Sequence, residues 1–498
     1  MNQSFVRNLL LLLFINILIK PFWVLGIDLT VQNTVGDSVY GFYFSIYNFS
    51  YLFYILLDLG ITNYNNRNIA QNNQLLSKHF VGISQVRIML AMLYFMVIFV
   101  VGWAIDYNAQ QLKMLVIVGF NQVLLSFILY LRSNISGLLL FKTDSLLSVL
   151  DKLLMIIICS FLLWSGLFAG KFKIEWYVYS QTAAYLITVG LALFIVIKKA
   201  GKITISFNLP FIIVVIRQSL PYALLALLMS FYNRLEPVLI ERLLPSNESL
   251  VQTGIYSRAF RLLDAGNNIS LLFSVILLPL FASMIKKKES INDLARLSFS
   301  MIISMTGIIA LLAICYSTEI MTLLRGSTQC VDAADYAQRL YESAFVFRVL
   351  MGSFVAISIT YIFGTLLTAN GNLKMLNIVA ATGVVVNFLM NFILIPRYQA
   401  IGAAFSSVSV QVLTAVIQYL LAAKVFKLKF SSGYWIHLLA FFVLIVVCTY
   451  LVNLINIHWL WRFSISLSLN VCFVFASKLL NIKEMLWILG VAKKSKIK

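Results

Sequence analysis

Along nearly the whole chain, apolar runs of some twenty residues alternate with short polar breaks. An α-helix needs about 20 residues to cross roughly 30 Å of hydrocarbon. The pattern therefore predicts fourteen helical spans, at 9–31, 38–60, 81–105, 112–135, 146–170, 176–197, 214–237, 254–281, 297–324, 343–367, 374–395, 401–423, 434–455 and 460–480. The first run, Leu9–Ile19 behind Arg7, has the outline of a signal peptide. No small-residue cleavage site follows it and further spans come at once, so it reads as the first span.

Composition agrees with this pattern. Of 498 residues, 61% are hydrophobic and only 11% charged. Soluble domains carry about twice that charged fraction, and a soluble core of this size could not hide so many apolar residues. The net charge of +20 would suggest nucleic acid in a soluble protein, but here the basic residues form short clusters between apolar runs. That distribution fits the positive-inside rule and anionic headgroups, and no nucleic-acid partner is expected. With the N-terminus inside, 24 of the 38 Lys and Arg, Arg87 and Lys152 among them, fall on that side and 8 on the other. The bias predicts a multi-pass protein of the cytoplasmic membrane with both ends in the cytoplasm. No connection is long enough to hold a soluble domain.

Enzyme signatures are missing: no GxxxxGK[ST], HExxH or GxSxG occurs. Without an ATP-binding loop, transport must draw on an ion gradient or on the substrate's own gradient. The five cysteines show no CxxC spacing and His79, His437 and His458 are scattered, so neither a disulfide framework nor a metal site is expected. No cofactor is implied.

A weak repeat divides the chain. Lys20-Pro21 is followed by Gly41-Phe42-Tyr43, and Leu220-Pro221 by Gly254-Ile255-Tyr256. Proline-broken spans at matching places are expected of a two-lobed transporter. The reading is an all-α membrane fold with an N-terminal six-helix lobe at 1–200, a second at 201–425, and a terminal helix pair with a basic tail at 426–498.

Ionisable residues within spans are costly and usually face a cavity or a partner. In the eighth span Arg258, Arg261, Asp264 and Asn268 fall at i, i+3, i+6 and i+10, on one helix face. Such a cationic stripe suits an anionic headgroup, since Arg binds phosphate in a forked geometry. The alternative is that Arg258 snorkels to the outer interface and Arg261 pairs with Asp264. Lys20, beside Pro21 in the first span, reads as a cavity residue. Arg348 lies shallowly in the tenth span, where snorkelling and substrate contact are both open. Arg234 and Glu236 sit at the outer end of the seventh span, where pairing with the eighth is expected. Asp58 near the inner end of the second span is either a gate or cation site or a helix end before an Asn-rich turn. Asn387 and Asn391 suit hydrogen bonds to neighbouring helices. Asn48-Phe49-Ser50 and Asn247-Glu248-Ser249 match glycosylation triplets, which are frequent by chance.

Three stretches resemble a known family. The first is Lys20-Pro21, then Gly41-Phe42-Tyr43-Phe44, Leu57-Asp58-Leu59-Gly60 and Asn65-Asn66-Arg67-Asn68. The second is Tyr232-Asn233-Arg234-Leu235-Glu236 with Glu241, Gly254, Tyr256, Arg261 and Asp264, ending in Leu278-Pro279-Leu280. The third runs from Asn387 and Asn391 through Pro396-Arg397-Tyr398 to Gly402 and Ala404. Together they resemble polysaccharide flippases of the Wzx (O-antigen and capsule) type, within the multidrug/oligosaccharidyl-lipid/polysaccharide exporter superfamily. The resemblance implies two MATE-like six-helix bundles around a central cavity, and an undecaprenyl-pyrophosphate-linked oligosaccharide as cargo. It implies cationic cavity groups matching Lys20, Arg258 and Arg261, with Arg348 as a further candidate. Asp264, Asp58 and Glu236 are then candidates for gating or for coupling to H⁺ or Na⁺. Many relatives carry aspartate at Glu236. Fourteen spans also resemble the lipid II flippase branch. Two rivals remain: a multidrug or cation antiporter of the same superfamily, and a membrane polysaccharide polymerase.

Overall fold

In the computed structural model the described residues are 19–477 except 20, 63–64, 66–68, 70–73, 139, 167–170, 201–208 and 325–331. They are helical or lie in short turns, with no strand among them. In hydrocarbon every backbone N–H and C=O must be satisfied internally, and helices do this within one segment. The helices form two compact units, Met1–Gly254 and Ile255–Lys498.

The first unit opens with a π-helical stretch, Trp23–Asp28, leading into α1 (Leu29–Val35). It begins just after Pro21, whose missing N–H and bulky ring disturb the regular i→i−4 ladder. Gly36, at φ 88°, turns the chain from α1 into α2 (Asp37–Leu52). After a 3₁₀ turn at Tyr54–Leu57 come α3 (Leu75–Ala104), α4 (Ala109–Gly137), α5 (Phe141–Trp164), α6 (Ile174–Ala200), α7 (Leu209–Arg234), α8 (Glu236–Leu243) and the start of α9 (Ser246–Lys286). α2 is central, packed on α1, α4, α7 and α8. It leaves one large apolar side chain exposed, Val39. α3 instead exposes Ile88, Met92, Met96, Val100 and Trp103 along one side, the face expected to meet lipid.

The two repeat glycines meet in this unit. A Cβ on Gly41 would stand 2.0 Å from the Leu250 carbonyl oxygen, and one on Gly254 would stand 2.1 Å from that of Asp37. The Gln32 amide bridges the crossing, donating to the Gly254 carbonyl (2.8 Å) and to Asp37 Oδ1 (2.9 Å). Close backbone approach through glycine is how helices associate where water supplies no hydrophobic drive.

The second unit continues α9 and adds α10 (Asn292–Cys315), α11 (Ser317–Leu324), α12 (Ala333–Ala369), α13 (Leu373–Phe426), α14 (Ser432–Asn453) and α15 (Trp459–Ala476). α12 is its centre, packed against α10, α11 and α13. Hydroxyl pairs join α9 to α12: Ser270 to Ser358 (2.7 Å) and Ser274 to Thr365 (2.6 Å). α14 lays Phe442 over Gly307 of α10, and Asn470 of α15 donates to Thr449 of α14 (3.0 Å). α13 contains Pro396 and breaks at Gln399 (φ 53°, ψ −132°). The break separates the segments predicted as the eleventh and twelfth spans.

Nine helices among the described residues are long and apolar enough to cross a membrane, or ten with α7 and α8, bent by 49°, as one broken span. The chain is thus a multi-pass membrane protein, but the count of fourteen is not established. Residues 1–18 lie outside the described part, α2 has only sixteen residues, and the 54-residue α13 holds two predicted spans. Asn391 donates to Asn387 Oδ1 of its own helix (3.0 Å), and both residues are buried. Asn48 is buried and donates to the Phe44 carbonyl, so no glycan can reach its amide.

Candidate functional site

The arginine face of α9 grades from buried to open. Arg258 and Arg261 are buried, Asp264 is half-buried and Asn268 is exposed. The 3.6-residue repeat keeps the four on one side, and the Asn268 amide donates to the Asp264 carbonyl (2.9 Å). Arg258 turns into the protein. Its Nη1 donates to the carbonyl of Leu324 (3.2 Å), the last residue of α11, where the helix dipole is negative. Arg348 is exposed, and its Nε and Nη2 reach Ser317 Oγ at the start of α11 (3.1 and 2.9 Å). The short helix α11 is therefore held at each end by one of the predicted cavity arginines.

Lys20 lies outside the described residues. Asp58 lies in the turn that closes the 3₁₀ segment Tyr54–Leu57, and its carboxylate has further partners there. It accepts from the backbone N–H of Gly60 and Thr62 (both 3.1 Å), from the Thr62 hydroxyl, and pairs with Arg87. Arg87, counted from sequence among the cytoplasmic charges, is buried within α3. It donates to the Ser126 carbonyl and hydroxyl (3.0 and 2.9 Å) and lies 4.7 Å from the Tyr130 ring centroid. Breaking a largely buried pair of this kind is costly, so it holds the local fold.

Arg234 closes α7 and Glu236 opens α8, on either side of the 49° bend between them. Glu236 is buried. Arg234 stands 4.3 Å over the Tyr51 ring, beside Asn48 Oδ1 (3.5 Å). Residue 51 is fourteen positions into α2, about 21 Å along the helix, so Arg234 sits deep along α2. Farther along α8, Glu241 accepts from Ser45 and from Gln111. Gln111 also completes the capping box that starts α4 with Asn108 (2.9 Å in each direction). Arg242 covers the Tyr107 ring at 4.5 Å.

The largest polar assembly of the first unit is one that the sequence reading missed. Asp28, at the end of the π-helical stretch, is buried and accepts from Tyr177 Oη (2.5 Å) and Tyr40 Oη (3.1 Å). Trp23 stacks on Tyr177, and Gln181 donates to Tyr43 Oη (3.0 Å). Lys152, counted from sequence with the cytoplasmic charges near the start of the fifth predicted span, is well inside α5. It pairs with Asp151 (3.1 Å), donates to Tyr185 Oη (3.3 Å), and lies 5.3 and 5.7 Å from the Tyr185 and Trp23 ring centroids. Carboxylate, ammonium and phenol groups held among aromatic faces can bind a polar ligand through hydrogen bonds and ring contacts together. One signal was available in sequence. Tyr40, Tyr43, Tyr47, Tyr51 and Tyr54 recur at helical spacing.

A profile of the polysaccharide biosynthesis protein family matches residues 5–285. Among curated proteins none matches. Among solved structures, the lipid II flippase MurJ in an inward closed conformation is 15% identical, with 92% of this chain and 96% of that chain covered and a TM-score of 0.65. An inward-facing multidrug resistance MATE family transporter of the MOP superfamily is 12% identical, covering 86% and 98%, with a TM-score of 0.66. A MOP superfamily transporter from Pyrococcus furiosus is 11% identical, covering 85% and 95%, with a TM-score of 0.54. At these identities the likeness is one of fold, and that fold belongs to membrane transporters, as the sequence pattern implied.

Proposed function

Because the chain belongs to the polysaccharide biosynthesis protein family, we propose that it is a flippase for undecaprenyl-pyrophosphate-linked oligosaccharide repeat units. It would carry them across the bacterial cytoplasmic membrane by alternating access, supplying surface polysaccharide such as O-antigen, with both termini cytoplasmic. The observation that carries this reading is the set of cations inside apolar helices: Lys152, Arg234, Arg258 and Arg261. Charge in hydrocarbon costs at least about 2.5–3.5 kcal/mol per group, and its retention supports a path for an anionic cargo.

In this reading the six-helix lobes at 1–200 and 201–425 rock about the cargo, with 426–498 as an added pair. Arg261 and its neighbours on α9 hold the pyrophosphate while the lipid tail stays in the bilayer. Arg258 and Arg348, both engaged with α11, position that helix beside the path. Asp264 is the first choice for coupling to H⁺ or Na⁺. Asp58, already committed to Arg87, fits an internal lock better. Glu236 at the bend is the gate candidate.

Deleting the gene should accumulate lipid-linked repeat units on the cytoplasmic side. Arg261→Ala and Lys20→Ala should each lower surface polysaccharide, and normal levels from both variants, with protein expressed, would sink the cationic-path reading. The aromatic group around Asp28 favours one alternative, a multidrug or cation antiporter. Drug resistance conferred by the chain, with polysaccharide unaffected, would select it. A polymerase would instead leave single units exposed outside.

A further inference from the structure

α2 and the 3₁₀ turn that follows it carry a continuous ladder of tyrosines. Ring centroids follow one another at 5.5 Å (Tyr40–Tyr43), 6.0 Å (Tyr43–Tyr47), 6.1 Å (Tyr47–Tyr51) and 5.3 Å (Tyr51–Tyr54). At 1.5 Å per residue the row extends about 21 Å. Its first two rungs are committed to Asp28 and Gln181. The last three are half-buried, whereas residues 43–46 and 48–50 around Tyr47 are buried. The open side of the middle of α2 is thus the tyrosine side.

Helices α1, α4, α7 and α8 pack around α2, and Val39 is its one exposed large apolar residue. The half-open rings are the part of this helix that a ligand can reach. Phenols suit such a place, with an apolar face and a polar tip. Two cations flank the row. Arg234 lies over Tyr51 and Lys152 over Tyr185, and both charges act on Tyr47.

We propose that Tyr47, Tyr51 and Tyr54 form a carbohydrate-binding track, with Lys152 and Arg234 favouring glycans that bear an anionic group. The apolar C–H face of a pyranose packs on an aromatic ring while its hydroxyls bond to phenol oxygens. A row of similar rungs lets a sugar chain advance from ring to ring without a deep trap. The track rests on the flippase reading for its cargo, since it names which part of the lipid-linked molecule runs along α2.

The test uses the full chain in lipid nanodiscs, with a neutral maltooligosaccharide and an anionic oligogalacturonate as probes. Binding is read by calorimetry, and thermal unfolding is followed in parallel. Tyr51→Leu and Tyr47→Leu should each weaken both probes about tenfold, the loss of one ring contact. Tyr51→Phe keeps the ring and should stay within about threefold, which also controls for misfolding. Lys152→Gln should weaken oligogalacturonate alone. The track is overturned if the wild type binds neither probe, or if the Leu variants unfold normally and bind like wild type. Flipping of a lipid-linked oligosaccharide in proteoliposomes separates the two readings. Ring-dependent binding without flipping removes the flippase reading and leaves the track. Flipping with ring-independent binding does the reverse.

Discussion

Substituting Gly254 by alanine is the sharpest test of the α2–α9 crossing. The new Cβ would stand 2.1 Å from the Asp37 carbonyl oxygen, 2.6 Å from its carbon and 2.8 Å from its Cα. All three are backbone atoms, so no side chain can swing aside. Restoring an ordinary contact near 3.5 Å requires the helices to part by about 1.4 Å. The 2.8 Å bond from the Gln32 amide to the Gly254 carbonyl then stretches beyond hydrogen-bond reach. Overpacking costs about 1–3 kcal/mol, and leaving buried polar groups unsatisfied adds about 1–3 kcal/mol. A loss of roughly 2–6 kcal/mol follows for this packing arrangement. The assay is thermal unfolding of the purified chain in detergent. Gly190→Ala serves as the control, because nothing lies within 4 Å of a Cβ there. It should be neutral, or stabilising by up to about 1 kcal/mol through helix propensity. Gly41→Ala, which meets the Leu250 carbonyl at 2.0 Å, should resemble Gly254→Ala. The double variant should cost less than the sum, since helices already parted have room for the second methyl. A Gly254→Ala melting temperature equal to that of Gly190→Ala would refute the reasoning.

Asp58→Asn leaves the Arg87 charge buried without its carboxylate and should destabilise the protein by about 3–5 kcal/mol, read by thermal unfolding. Replacing both residues by apolar ones of similar size should recover much of that loss, and failure to recover would argue that the pair does more than lock the fold. Gln111→Leu removes both the α4 capping box and a donor to Glu241. A loss of about 1–3 kcal/mol is expected, with hydrogen exchange rising first at the start of α4. Ser270→Ala paired with Ser358→Ala should cost only about 0.6 kcal/mol in coupling by double-mutant cycle, the usual worth of a hydroxyl pair between membrane helices.

The membrane character, the helical class and most spans were legible in sequence, because hydropathy and the 3.6-residue period are local properties. The break after Pro396 was legible for the same reason, since proline acts on its own turn. The α9 arginine face was likewise readable from spacing alone. The charge count placed Arg87 and Lys152 among the cytoplasmic charges, whereas the structure gives both buried partners. A lysine or arginine near a predicted span end looks the same whether it meets headgroups or a buried partner.

What only the tertiary structure decided is pairing over distance. Asp58 meets Arg87, Ser45 meets Glu241, and the Gly41 and Gly254 backbones touch across 213 positions. Sequence marked those two glycines as repeat equivalents without showing that they pack together. It also held the tyrosine spacing of α2, but not that Tyr40 and Tyr43 are buried while Tyr47, Tyr51 and Tyr54 stay half-open. No local pattern encodes such choices. In a bilayer both lipid and protein interior are apolar, and only the assembled helices determine which faces remain open.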